Sequence, residues 1–312
     1  MSGTAEGGPV PLQAEALYRS PSNRERALRS LRRSGWPIPA LLVLAFMTLL
    51  ALVGPGIAPR DPNRQHLIKR MTAPLQQNAQ GEIEFLLGTN GLGQDVLSRL
   101  IYGARISIAV GFVAVLIGGL IGILLGLIGG YTGGSVDDVI MRLADIQLAF
   151  PFILLAIMVL VVLGQGVLNL VLVLGIGQWV TYARIARGET IARRNQEYVE
   201  AARSVGMGHW RIMFREILPN ILAPLIVIAS FNVASVILAE ASLSFLGLGV
   251  PPTVPTWGRM LADSRDGLLA GKWWLAFFPG LAIMLTVLSL NILGDWLRDF
   301  LDPRLRGSEG AG

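Results

Sequence analysis

The chain has 312 residues, 53% of them hydrophobic and 15% charged, with a mean hydropathy of +0.57. Soluble domains carry about 25% charged residues, so a soluble enzyme is excluded; so is a disordered chain, which lacks this much apolar surface. With 0 Cys and 2 His there is no disulfide scaffold, thiolate zinc site or catalytic cysteine, and a net charge of +5 on so apolar a chain points to basic loops beside membrane spans rather than to nucleic acid.

The first 37 residues are polar and rich in arginine (Arg19, Arg24, Arg26, Arg29, Arg32, Arg33). No signal peptide is expected, because the first apolar run starts near residue 40. A bilayer core needs about 20 mostly apolar residues per helix, and six stretches qualify: 40–58, 106–127, 146–164, 167–180 (continuing to Tyr182), 221–248 and 274–293. Their apolar character runs all round, as lipid-exposed helices require. Trp36, Trp179, Trp273, Trp274 and Trp296 fall at span ends, where interfacial anchors belong.

Between the first two spans, Gln80-Gly81 predicts a turn before a short strand over Glu82–Leu87, in which Ile83 and Phe85 alternate. Residues 95–104 predict a short amphipathic helix at the outer surface. In the second span Ala114, Gly118, Gly122, Gly126 and Gly130 recur every fourth residue and share one face. Small residues at that spacing let two backbones approach closely in lipid, as a sliding interface or as static packing. Ser135 three residues before Asp138 predicts a capping box at the helix leading into the third span. Only Gly164–Gly166 separates spans three and four, so they form an antiparallel hairpin.

Counting Lys and Arg by loop places 17 on the side of the N-terminus and 9 on the other, which predicts cytoplasmic N- and C-termini. The span centres are almost free of ionisable groups: Asp145 starts the third and Glu240 lies toward the outer end of the fifth. That argues against a self-sufficient proton-coupled carrier. Neutral polar residues are present. Asn169, Asn232, Ser235 and Asn291, with Gln178, either line a path or hydrogen-bond between helices. His66 and His209 read as loop residues, and no metal ligands cluster.

The loop between spans four and five is the most informative stretch. Residues 196–205 predict a short amphipathic helix with Tyr198, Ala201, Ala202 and Val205 on one face and Glu197, Glu200 and Arg203 on the other. Gly206 and Gly208 punctuate the chain, and a second helix with Trp210, Ile212, Met213, Phe214 and Ile217 runs into Pro219. Such a helix–Gly–helix either plugs into a cytosolic partner or lies on lipid headgroups.

Glu200-Ala201-Ala202, Gly206 and Ile217-Leu218-Pro219 resemble the EAA loop of membrane subunits from binding-protein-dependent ABC importers, with Ile one position later than usual and Glu216 in its place. Residues 86–107, 239–261 and 278–306 resemble the C-type subunits of dipeptide, oligopeptide and nickel permeases. Two departures are Asn90, where that family favours Asp, and Gln94, where it favours Arg.

The resemblance implies an all-α, polytopic protein of six transmembrane helices with the type I importer permease (MetI-like) fold, in a bacterial or archaeal cytoplasmic membrane. It divides the chain into a cytoplasmic tail (1–37), a first helix with an external segment (38–104), a permease core (105–299) containing the EAA loop (188–219), and a C-terminal tail (300–312). The implied partners are a second, homologous permease, two cytosolic ATP-binding subunits, an extracytoplasmic solute-binding protein and membrane lipid. In such a machine the EAA helix docks in an ATPase groove, a role carried onto Glu200, Ala201, Ala202 and Gly206, with Tyr198 and Arg203 beside them. The external segment is then a receptor contact, a lid or a scaffold. The chain has no phosphate loop of its own: Gly267…Gly271-Lys272-Trp273 has the wrong spacing and Trp where Ser or Thr must meet Mg²⁺. It is therefore expected to bind no cofactor and to be no enzyme, ATP and Mg²⁺ residing on the partners. The expected cargo is a di- or oligopeptide, with nickel, glutathione or oligosaccharide as alternatives. The six spans alone would also suit a gradient-driven carrier or channel.

Overall fold

A computed structural model describes residues 35–301. The six N-terminal arginines, Arg304 and Arg306, all counted in the charge asymmetry, lie outside the described residues. Helices dominate throughout: α1 (Pro37–Ile57), α2 (Val96–Thr132), α3 (Gly134–Leu148), α4 (Phe152–Leu163), α5 (Val167–Arg193), α6 (Glu197–Ser204), α7 (His209–Arg211), α8 (Leu218–Phe245), α9 (Trp257–Asp263), α10 (Arg265–Leu269) and α11 (Trp274–Leu301). A π-helical turn, Ile212–Ile217, joins α7 to α8.

Helices α1, α2, α5, α11 and the α7–α8 run are long and apolar enough to cross a membrane. The third span is not one helix. It breaks at Pro151, and α3 and α4 meet at 86°. Proline has no N–H to give and forces the residue before it out of helical geometry. Apolar residues on both sides of the break hide it from a hydropathy window.

The two halves nevertheless make one crossing. Asp137 of α3 pairs with Arg187 of α5, and Leu163 at the end of α4 accepts a hydrogen bond from Asn169 of α5. Residues 169 and 187 lie about 27 Å apart along a helix, close to the thickness of a bilayer core. Helix α4 alone rises only about 18 Å. With the bent pair counted as one span, six crossings result.

The tightest packing joins α2 to α5. A Cβ on Gly118, Gly122, Gly126 or Gly130 would meet the carbonyl oxygens of Gly175, Trp179, Ala183 and Arg187 at 2.5, 2.3, 2.3 and 2.8 Å. Both series advance by four, so the two helices run parallel with their backbones in contact. Elsewhere a glycine makes room for a side chain: Ile237 of α8 over Gly111 of α2, Ser230 and Phe231 of α8 over Gly294 of α11, and Ile101 of α2 over Gly54 of α1. One apolar core formed by α2, α5, α8 and α11 results, with α1 at its edge.

Several local expectations are corrected. Residues 95–104 are not a separate surface helix. Asp95 caps α2, accepting from the Ser98 N–H at 2.9 Å, and Val96, Ser98, Arg99, Ile101 and Ala104 are buried in its first turns. The Glu82–Leu87 stretch forms an isolated bridge, Gln77 to Ile83, rather than a strand. No Ser135 capping box forms: Gly133 sits at the α3 cap with φ +68°, and no side chain caps the helix. Trp179 is no interfacial anchor. Helix α5 continues to Arg193, which leaves Trp179 buried inside it, its Nε1–H donating to Gln147 at 2.7 Å.

Candidate functional site

The end of the bundle that carries α6 is built as a mount. Val199 and Ala202 of α6 enter the core with Ile212, Met213 and Ile217 of the π turn. Tyr131, in the last turn of α2, hydrogen-bonds His209 Nδ1 at 2.9 Å, and the Arg203 guanidinium lies 5.5 Å from the Tyr131 ring centre. Arg194 donates to the Gly130 carbonyl at 2.9 Å. The foot of α2 therefore grips both flanks of the loop. On the far side of α6, Glu197, Glu200, Ala201, Ser204, Val205 and Gly206 are exposed.

The sequence-predicted faces are thus rotated. Ala201 and Val205 point away from the core, while Val199, absent from the predicted face, is fully buried. Ala202 is 8% exposed and belongs to the mount, not to the free surface. Tyr198 is half-buried beside it. Glu200 makes no ion pair with Arg203 or any other described residue. Gly206 has φ +78° with open space where a Cβ would stand, so backbone conformation alone demands glycine there.

The opposite end carries a polar cap. Arg60 binds the Ser98 hydroxyl through its N–H at 3.0 Å and stacks 4.6 Å from the Phe85 ring centre. Lys69 pairs with Glu84 at 2.5 Å, which holds the Glu84 carboxyl below its usual range. Asn90 and Gln94, the two departures from the resembled family, form a neutral buried pair: Asn90 Nδ2 donates to Gln94 Oε1 at 2.8 Å. The same Gln94 oxygen accepts from Arg99 Nη1 at 2.7 Å. Arg99, 1% exposed, also reaches Asp263 at 3.6 Å. Burial pushes the Asp263 carboxyl up, and Arg259 and Arg99 pull it back.

Glu240, fully buried near the end of α8, ties this cap to the spans. Its carboxylate accepts from Ser244 at 2.8 Å, Thr256 at 2.9 Å and Ser107 at 3.4 Å. The Ser107 hydroxyl in turn accepts from the Trp257 N–H, and Trp257 Nε1 donates to the Leu100 carbonyl. Three elements, α2, α8 and α9, meet on one carboxylate. The sequence marks Glu240 as an outlier in its span but gives no sign of its partners.

The four candidate path residues lie on α5, α8 and α11. Asn169 closes the α4–α5 hairpin, donating to Leu163 and Gly164 carbonyls at 2.9 and 3.1 Å. Ser235 is exposed and donates to Phe231 of its own helix. Asn232 has a buried Nδ2 without a hydrogen-bond partner, and Asn291 is half-buried on α11. Among the described residues no hydrogen bond joins these four to one another.

Residues 118–307 match the family of binding-protein-dependent transport system inner membrane components, and residues 22–76 match the N-terminal TM domain of oligopeptide transport permease C. The di/tripeptide transport system permease protein DppC of Pseudomonas aeruginosa is 42% identical over 92% of this chain and 94% of its own length. The dipeptide transport system permease protein DppC of Escherichia coli K12 is 44% identical over 88% of this chain and 91% of its own. A glutathione transport system permease protein, GsiD of Escherichia coli, is 40% identical over 89% and 90%. Among solved structures, an inward-facing MetNI methionine ABC transporter superposes with a TM-score of 0.54 at 18% identity, covering 65% of this chain and 96% of that one, a likeness of fold. The chain belongs to the family of binding-protein-dependent transport system inner membrane components.

Proposed function

We propose that this chain is the permease subunit of an ATP-driven importer of di- and oligopeptides. The observation that carries the reading is near full-length identity of 42% and 44% to permeases named for di/tripeptide and dipeptide transport. The glutathione relative at 40% supports a second cargo of the same kind, since glutathione is itself a modified tripeptide. The working assembly is this chain, a second permease, two ATPases holding ATP and Mg²⁺, and an extracytoplasmic receptor. The charge asymmetry supports cytoplasmic termini, which puts α6 on the cytoplasmic side and the Glu240 cap outside.

The residues supply a mechanical role. Glu200, Ala201 and Gly206 form the surface that an ATPase groove receives: alanine permits close approach and the carboxylate gives a charge-assisted contact. Ala202, Tyr198 and Arg203 hold that surface to the bundle. A displacement of α6 reaches α2 through Tyr131, His209 and Arg203, and reaches α8 through the π turn. The α2–α5 seam, with backbone against backbone, carries the pair as one body rather than as sliding rails. Translocation is then a two-state equilibrium that the ATPases bias through different contacts with each state.

Vesicles containing all subunits test this directly. Uptake of a labelled dipeptide is expected only with ATP, ATPases and receptor together. Uptake of equal size without the ATPases overturns the reading.

A further inference from the structure

An apolar groove lies at the capped end of the bundle, where α11 begins. It holds about 600 Å³ between the external segment, which contributes Pro74, Leu75 and Leu86, and the start of α11, which contributes Trp273, Trp274 and Phe278. Trp274 is buried, and its Nε1–H is directed at the Thr89 carbonyl at 3.5 Å. Leu75, Leu86 and Trp273 are 59%, 51% and 55% exposed. Leu75 has φ +57°, and Met71, four residues before it, has φ +56°. That left-handed region is costly for side chains of this bulk. The loop bears strain on both sides of Thr72, Ala73 and Pro74 while it holds an apolar side chain over the opening.

The depth of the groove is set by α11. Trp273, Phe277 and Phe278 pack ring against ring, with centres 5.5 to 6.1 Å apart, at the point where the apolar span starts. Aromatic clusters at span ends belong to the headgroup level. From there Trp273, Phe277, Met284 and Leu288 continue the exposed surface along one side of the helix. They cover about 22 Å of its axis, more than the ~15 Å of one leaflet's share of the bilayer core. None of the four is small, whereas helices that pack on helices in lipid do so through small residues. Groove and stripe therefore suit an acyl chain better than a partner helix. A cation stands beside the opening: Lys272 Nζ lies 5.5 Å from the Trp274 ring centre. Among the described residues Lys272 makes no ion pair.

We infer that this groove is a binding site for an anionic phospholipid. One acyl chain lies between Leu75, Leu86 and Phe278 and continues along Phe277 and Met284, while the phosphodiester meets Lys272. The unpaired lysine favours a net negative headgroup over a zwitterionic one by about fivefold, the effect of one basic residue near a membrane surface. The bound lipid fastens the external segment to the bilayer beside α11. The inference does not rest on the identity of the cargo.

The complete transporter is placed in phosphatidylcholine nanodiscs with a minor fraction of lipid carrying a diazirine on its acyl chain, under either a phosphatidylglycerol or a phosphatidylcholine headgroup. After illumination, adducts on the peptides of Leu75, Leu86 and Phe278 are counted by mass spectrometry relative to those at Leu52, an exposed residue of α1. Phosphatidylglycerol is expected to label the groove about fivefold more than phosphatidylcholine, and Lys272→Gln is expected to make the two equal. No groove adducts where Leu52 is labelled would mean that a protein chain covers the groove, and overturns the inference. Equal labelling by both lipids in the natural chain also overturns it, because bulk lipid contact has no headgroup preference. A preference that survives Lys272→Gln overturns the headgroup contact. The comparison of headgroups in the natural chain needs no variant, so it stands even where Lys272→Gln fails to assemble.

Discussion

The α2–α5 seam makes a quantitative demand on Gly122. In Gly122→Ala the new Cβ would stand 2.3 Å from the Trp179 carbonyl oxygen, 2.6 Å from Tyr182 Cβ and 3.0 Å from Ala183 N. Ordinary heavy-atom contact begins at about 3.5 Å, so the helices must part by roughly 1 Å at that level. None of the three neighbours is the far end of a flexible side chain, so none can swing aside. Parting the helices also loosens the contacts at Gly118 and Gly126 on the same face. Overpacking of this kind costs about 1–3 kcal/mol, a change of about 5- to 150-fold in the ratio of folded to unfolded protein. The assay is thermal unfolding of the purified permease complex in detergent, with uptake measured in parallel. Gly188→Ala on α5 is the comparison, because nothing lies within 4 Å of the added carbon. It should be neutral or stabilising by about 0.5–1 kcal/mol, as glycine inside a helix is normally unfavourable. Equal stability of the two variants would refute the claim that backbone contact, not glycine content, organises the seam.

Other perturbations separate the parts of the account. Gly206→Pro forces φ to about −65° where the chain has +78°; together with Glu200→Arg, it should abolish co-purification of the ATPases while leaving membrane insertion intact. Glu240→Ala strips three hydroxyls of their acceptor; the expected loss is about 3 kcal/mol, read by thermal unfolding, with Glu240→Gln losing less because one oxygen remains. The Lys69–Glu84 pair sets a pH dependence. The folded Glu84 carboxyl lies below its ordinary 4.5, so its stabilisation is present above that value and is lost as pH falls through the depressed one. Lys69→Met should therefore weaken the cap by about 0.5 kcal/mol at neutral pH, and the two proteins should converge in acid and in high salt.

Five of the six spans were legible in the sequence because long apolar runs leave a bundle no other packing. The i+4 glycines named one side of a helix pair, and the structure supplies the other: Gly175, Trp179, Ala183 and Arg187, of which only Gly175 and Ala183 look small in sequence. The third span was misread because hydropathy sums over Pro151 while backbone geometry does not. The α6 helix was predicted within one residue at each end, yet its faces were rotated, since an eight-residue helix with alanines on two sides has no unique apolar stripe. The cap was least legible. Its bonds run between residues far apart in the chain, such as Ser107 to Glu240 and Arg99 to Asp263, and no local spacing records them.

The central claim is that ATPase motion enters through the exposed face of α6. Ala201→Cys, in this otherwise cysteine-free chain, is combined with a short thiol cross-linker in the assembled transporter, and Ile68→Cys on the external segment serves as the opposite-side reference. A covalent adduct with an ATPase subunit is expected from Ala201→Cys, with a yield that changes between ATP-bound and nucleotide-free states, and none from Ile68→Cys. No adduct from Ala201→Cys in a transporter that still takes up peptide would contradict the account.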